Sequence, residues 1–264
     1  QRQMCIRDRN KCFRLRARQE ATPEPGARVY DGKNLISSDE KAPMATDSRR
    51  LVPPPVRTNG YADLRSYAAI GDGRTVALVA QDGAVDWYPT PDLDSVPSFA
   101  ALLDADDGGR IELRPEADFR VERHYVDGTN VLATTFTTAT GTVTVTDSLN
   151  TGVAGRLPWG ELARRIEGVE GTVPMRWAVT AGNCFGTASP WVEQSAHGPV
   201  LHAQLTTIAV RGLNHGTEEV TDRGISGSFA ASPGSRHLVA VISTQNEPLA
   251  LPDPETIDAG IDRT

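Results

Sequence analysis

Two Asp-Gly pairs, Asp72-Gly73 and Asp82-Gly83, limit what this chain can fold into more than any other feature. Glycine accepts positive φ without steric cost, so Asp-Gly between apolar runs closes a tight hairpin. The run between the two pairs, Val76-Ala77-Leu78-Val79-Ala80, is too short for a helix and is bounded by turns at both ends. Three antiparallel strands in succession are therefore predicted, the first lying within Tyr61–Ile70. The third, Ala84 to Tyr88, must break at Pro89, and Pro91, Asp92, Asp94, Ser95 and Pro97 make the next segment an irregular loop. A short helical turn, Ser98 to Leu103, is expected to end that loop.

Downstream, the same period of two recurs. Asp106-Asp107-Gly108-Gly109 reads as a turn and Arg110 to Leu113 as a strand that stops at Pro115. Leu132 and Phe136 share one face of Val131–Phe136, and Val143 and Val145 oppose three threonines in Thr142–Thr146, so a half-buried antiparallel strand lies on each side of Gly141. Glu161–Ile166, Val173–Val179, Val200–Val210, Ile225–Phe229 and His237–Ile242 are further strands, parted by Gly, Pro and Asn. A sustained helical period is missing until the tail, where Asp253-Pro254-Glu255 has the form of an N-cap, an N1 proline and an acidic first turn ahead of Ile257 and Ile261. The fold class is all-β, a large antiparallel β-sandwich with one short helical turn and the start of a C-terminal helix. The sandwich spans 60–252 and the helix 253–264.

Residues 1–59 stand apart. The first twenty carry seven Arg or Lys against Asp8 and Glu20, opposite in sign to a chain whose net charge is −7, and Pro53-Pro54-Pro55 favours extended backbone. This segment is expected to be a disordered or non-native leader, with Met44 as a plausible true start. The acidic balance argues against nucleic acid and anionic membranes as partners, because both need a concentrated basic surface. Cys5 and Cys12 fall in the leader and leave Cys184 alone in the folded part, so a disulfide framework is excluded there and a reducing, cytoplasmic setting is expected. There is no apolar window of about 18 residues for a membrane helix. His124, His197, His202, His215 and His237 lack metal-ligand spacing, and no phosphate loop or nucleophile elbow occurs, so neither metal nor cofactor is expected.

The opening motif also resembles a known family. Ile70-Gly71-Asp72-Gly73-Arg74-Thr75, Ala77-Leu78-Val79, Asp82-Gly83, Asp86-Trp87, Asp94-Ser95 and Phe99-Ala100-Ala101-Leu102-Leu103 keep the order of the segment that begins bacterial glycoside hydrolase family 15 proteins, the glucoamylase and trehalase-like enzymes. Tyr125–Leu132 and Gly141–Asp147 continue the likeness. Many members carry Pro-Arg-Phe-Asp-Ser where this chain has Pro91-Asp92-Leu93-Asp94-Ser95, so an arginine is replaced by Asp92. The resemblance implies an N-terminal β-sandwich, joined in the intact enzyme to an (α/α)6 barrel that holds two catalytic glutamates. It further implies hydrolysis of α-glucosidic bonds in trehalose or an α-glucoside oligosaccharide. The chain is then expected to be a non-catalytic domain fragment, inactive alone, whose partner is its own missing barrel. The alternative is a stand-alone carbohydrate-binding or protein-interaction sandwich without catalysis.

Glycoside hydrolysis generally needs two carboxylates at a fixed separation, which draws the eye to Asp86, Asp92 and Asp94. A plainer account has Asp94-Ser95 capping the next turn while Asp86 and Asp92 hold backbone donors in the loop. No catalytic residue is assigned, and Trp87, Asp92 and Asp94 are the candidate active-site rim. Trp87 is expected in the core of the third strand, with a sugar-facing platform as the alternative, and Trp159, Trp177 and Trp191 take the same core default. Cys184 is expected to be a buried small apolar residue.

Overall fold

The computed structural model describes residues 56–153 and 155–264, so residues 1–55 of the expected leader, Met44 included, lie outside the described residues. Two antiparallel sheets make up the fold. The first contains β1 (Ala68–Gly71), β2 (Val76–Val79), β3 (Val85–Trp87), β4 (Gly109–Pro115), β9 (Val173–Ala181), β14 (Gly224–Ala231) and β13 (Glu219–Thr221), side by side in that order. The second runs β10 (Trp191–Ser195), β11 (Gly198–Ala203), β12 (Thr206–Leu213), β15 (Arg236–Gln245), β8 (Gly160–Gly171), β7 (Gly141–Leu149), β6 (Leu132–Thr138) and β5 (Phe119–Tyr125). One helix, α1 (Pro254–Ile261), comes after the last strand. This is the expected all-β sandwich.

The opening hairpins form as the Asp-Gly pairs predict, with Gly73 and Gly83 at φ +83° and +86°. A Cβ on Gly83 would also stand 2.4 Å from the Leu113 carbonyl, so close packing against the neighbouring strand demands glycine there as much as the turn does. Between the sheets, Ile70, Val79, Val85, Ile111, Leu113 and Trp177 from one inner face meet Phe136, Val145, Leu149, Leu162, Ile166 and Val241 from the other in a continuous core. Cys184 is buried at its edge. The core is not wholly apolar. Arg164 and Asp147, both buried, pair at 2.7 Å, and Arg164 Nη2 donates to the Gly83 carbonyl at 2.7 Å, tying the second sheet to the β2–β3 turn of the first. At one border Tyr125 OH accepts from Ala69 N–H and donates to Ala69 C=O, closing the free edge of β1.

A second, smaller core lies on the outer face of the second sheet. Helix α1 lays Ile257 and Ile261 on Ala163, Leu238, Ala240 and Ile242. Arg165 fixes it there, donating to Asp258 at 2.6 Å and to Asp262 at 2.7 Å, while Arg236 reaches Asp258 at 2.8 Å. Asp253 takes the extended N-cap backbone and Pro254 opens the helix as predicted, although the Asp253 side chain makes no capping hydrogen bond.

Five elements depart from the sequence reading. Tyr61–Ile70 is a strand only from Ala68, because Asp63 accepts from Arg65 N–H and winds Leu64–Ser66 into a 3-10 turn. Ser98 is a bend and Phe99 is bridged to Tyr88, and the turn comes later, where Leu103 and Asp104 N–H groups meet the Ala100 carbonyl. Val200–Val210 is two strands, since Gln204 adopts φ +55° and turns the chain without a glycine. Strands β10 and β13 went unpredicted, being short and almost wholly exposed.

Candidate functional site

The loop after β3 is held from three sides. Asp72 first organises the β1–β2 turn by accepting from the N–H groups of Arg74 and Thr75. That turn then clasps the loop: Thr75 Oγ1 donates to Pro89 C=O, Leu93 N–H donates to Arg74 C=O at 3.0 Å, and the Arg74 guanidinium forks onto Asp92 at 2.9 and 3.3 Å. Arg74 Nη1 also donates to Leu157 C=O, bringing in the segment before β8. From beneath, Thr90 hydrogen-bonds Ser243 on β15. Gly160 is indispensable here, because a Cβ would stand 2.5 Å from Thr90 Oγ1, 2.6 Å from Ser243 Oγ and 3.0 Å from the Tyr88 hydroxyl. Tyr88 is fully buried, and burial pushes its phenol up to about 12.

The three candidate rim residues end in three different situations. Asp92 is the anchor: the hydrogen bonds from Arg74 hold its carboxyl below the ordinary range, and Arg74 is raised in turn by the same bonds. Asp94 is exposed at the tip and, among the described residues, its side chain makes no hydrogen bond or ion pair. It does not cap a turn; instead Ser95 Oγ accepts from Asp92 N–H, folding the tip on itself. Trp87 is the correction. It is only half-buried and belongs to neither core. A β-bulge is the cause, because β3 pairs Val85 with Val79 but Trp87 with Leu78, leaving Asp86 as the extra residue. Leu78 sits between the core residues Ala77 and Val79 and so faces outward, and its partner Trp87 faces outward with it. Tyr88, stacked on Phe99 at 6.3 Å between centroids, is the aromatic that enters the core.

Asp86 likewise does something the sequence did not foretell. It lies on the strand, fully buried, and accepts from Tyr67 OH at 2.6 Å, Arg110 Nε at 2.6 Å and Arg57 Nη1 at 2.9 Å. Arg57 also forks onto Asp82 at 2.6 and 3.0 Å. Desolvation pulls Arg57 down, but the bonds and charges of Asp82 and Asp86 outweigh it and hold the guanidinium above its usual value. Burial, then the bond to Asp86, pushes the Tyr67 phenol up. Every partner here is a side chain rather than a loop N–H, so Asp86 is a structural anion with no free oxygen for chemistry. Arg57 comes from a segment that the sequence reads as leader, and only the unbalanced charge of Asp82 and Asp86 hinted at a cation for them.

The other tryptophans divide. Trp177 is buried and donates to His215 C=O at 2.7 Å. Trp159 packs on the second core and donates to Glu161 at 2.8 Å, but Trp191 is 52% exposed, contrary to the core default. Among the described residues there is no cluster of His, Cys, Asp and Glu able to hold a metal ion, and no helix long and apolar enough to cross a membrane.

Residues 61–179 match the family described as trehalase-like, N-terminal. A trehalase of Thermoplasma volcanium is 26% identical over 159 residues, which is 59% of this chain and 25% of that protein. A trehalase of Mycobacterium tuberculosis is 34% identical over 152 residues, 57% of this chain and 21% of that protein, and trehalase 2 of Sulfolobus acidocaldarius is 37% identical over 71 residues, 27% of this chain and 12% of that protein. The chain thus spans a quarter or less of the length of these curated relatives. The opening hairpins and the clasped loop both fall in the matched region, so it is over residues 61–179 that this chain is similar to trehalase-like N-terminal domains.

Proposed function

We propose that this chain is the N-terminal, non-catalytic sandwich of a longer cytoplasmic glycosidase of the glycoside hydrolase family 15 type. Its substrate is trehalose or an α-glucoside oligosaccharide, and its chemistry belongs to a C-terminal (α/α)6 barrel. The observation that carries this reading is the match to trehalase-like N-terminal domains, joined to relatives named trehalase that are about four or more times longer than the matched segment. The site chemistry agrees. Hydrolysis of a glycosidic bond uses a carboxylic acid and an opposed carboxylate. Asp86 is saturated by two arginines and a tyrosine and Asp92 is occupied by Arg74, which leaves Asp94 without a second free carboxylate in its loop. The loop's part is to form a rim: Arg74 and Asp92 set its position, and Asp94 and Trp87 offer a carboxylate and an indole toward bound sugar.

Assays of two proteins test this. The 264-residue chain alone is expected to release no glucose from trehalose, maltose or maltooligosaccharides. The protein encoded by the uninterrupted reading frame is expected to hydrolyse one of them and to carry a helix-rich segment with two well-separated glutamates. Asp94→Asn in that longer protein should raise KM with little change in kcat. Turnover by the 264-residue chain, lost on changing Asp94 or Asp92 to Asn, would place the chemistry in the sandwich and overturn the proposal.

A further inference from the structure

The far edge of the second sheet carries an aromatic surface that the rim does not use. Trp191 on β10 and His202 on β11 stand directly opposite in the ladder, their rings stacked at 4.3 Å and 20°. His202 Nε2 is in turn 3.1 Å from Glu193 Oε2. The alternate residues Leu201 and Ala203 are core and Val192 packs against it, so Trp191, Glu193 and His202 all face outward. The ladder and the imidazole stack fix the indole as a plane, half of it in solvent.

The surroundings are built as well. Gln204 turns the chain at φ +55°, and its amide nitrogen reaches Thr187 Oγ1 at 3.4 Å, drawing in the loop that contains Cys184 and Phe185. Those two residues both have positive φ, +51° and +60°, and Phe185 is 56% exposed. A bulky residue held in left-handed backbone with its ring in water is not accounted for by packing. Strand addition is a poor use for this edge, because β10 has five residues and carries Glu193 at its centre. What the ribbon offers is its side-chain face.

We propose that the β10–β11 ribbon is a surface site for a pyranose sugar, an α-linked glucan chain, separate from the Trp87–Asp94 rim. A pyranose has an apolar C–H face ringed by hydroxyls. The fixed indole matches the face, and the Glu193 carboxylate and the second partner of that pair, the His202 imidazole, match the hydroxyls. The choice of an α-glucan rests on the glycosidase reading above; the platform does not.

Electrophoresis of the 264-residue chain through native gels containing glycogen tests the site, with free maltoheptaose as competitor. The chain is expected to be retarded, maltoheptaose to relieve the retardation, and Trp191→Ala to weaken it about tenfold while unfolding within a few degrees of the unaltered chain. Glu193→Gln, which keeps the side chain's shape, is expected to weaken it about threefold, the loss of part of one charged hydrogen bond. Absence of retardation in the unaltered chain, or equal retardation in Trp191→Ala, overturns the proposal. So does loss of self-association or of protein binding in Trp191→Ala without any glycogen retention, which would make this face a protein contact. Failure of the glycosidase reading looks different: the longer protein cleaves no glucoside while glycogen retention by this chain stands.

Discussion

Asp86 shares its charge with Arg57, Arg110 and Tyr67 and is fully buried. Removing it strands the half-buried Arg110 guanidinium and leaves Arg57 to Asp82 alone, and Asp86→Ala is expected to cost about 3–5 kcal/mol, measured by urea unfolding. Arg164 and Asp147 extend the same logic into the core. Either single change to a small neutral residue should cost about 3–5 kcal/mol, whereas Arg164→Met with Asp147→Leu should recover most of it, because well-packed apolar residues replace a buried pair at little or no loss. At Trp87 and Tyr88 the expected ranking tracks burial: Tyr88→Ala should cost about 3–5 kcal/mol and Trp87→Ala about 1–2 kcal/mol. The sequence reading puts Trp87 in the core, and the reason it lies outside is physical. A period of two predicts facing only while the ladder keeps step, and the extra residue at Asp86 breaks step one position before Trp87. Acidic positions suffered from another blindness. That Asp92 is clasped, Asp94 free and Asp86 saturated depends on arginines 18 and more residues away, which spacing along the chain does not reveal.

At the scale of elements, helix α1 is joined to the sandwich by charge as well as by Ile257 and Ile261. The bonds from Arg165 hold Asp262 below the ordinary carboxylate range. A depressed carboxyl contributes stability that is present above its unfolded pKa and lost as pH falls through the folded value. Amide protection over Pro254–Ile261 should therefore be level from neutral down to about pH 5 and fall below about pH 4, and Asp262→Asn should flatten much of that fall, as hydrogen exchange will register. The clasped loop makes a parallel prediction. Arg74→Ala removes its bonds to Asp92 and Leu157, so limited proteolysis should cut between Pro91 and Pro97 several times faster, with the cooperative unfolding of the sandwich little altered. The helix was legible because Asp-Pro-Glu is a local start signal; the loop's rigidity was not, because its partners come from β1–β2, β15 and the approach to β8.

For the whole molecule, strand after strand could be read where one face is wet, as in Val143 and Val145 against their threonines. Short polar edges such as β13 left no pattern to read, and the way two sheets share a core is not written in any single segment. The second core adds a dependence of its own. A chain ending at Pro252 would uncover Leu238, Ala240 and Ile242, and it should bind an apolar dye and aggregate at concentrations where the longer chain remains dispersed. The strand beneath that helix has no outer side at all: from His237 to Thr244 every residue is buried, one set against the opposite sheet and the other under α1 or beside it. A saturation library should return almost nothing over that run of consecutive codons except near-isosteric exchanges, while the codons of the exposed β13 drift freely. In related genes the stretch would change last, and a single charged residue appearing at Leu238, Ala240 or Ile242 would mark a protein that has discarded its helix.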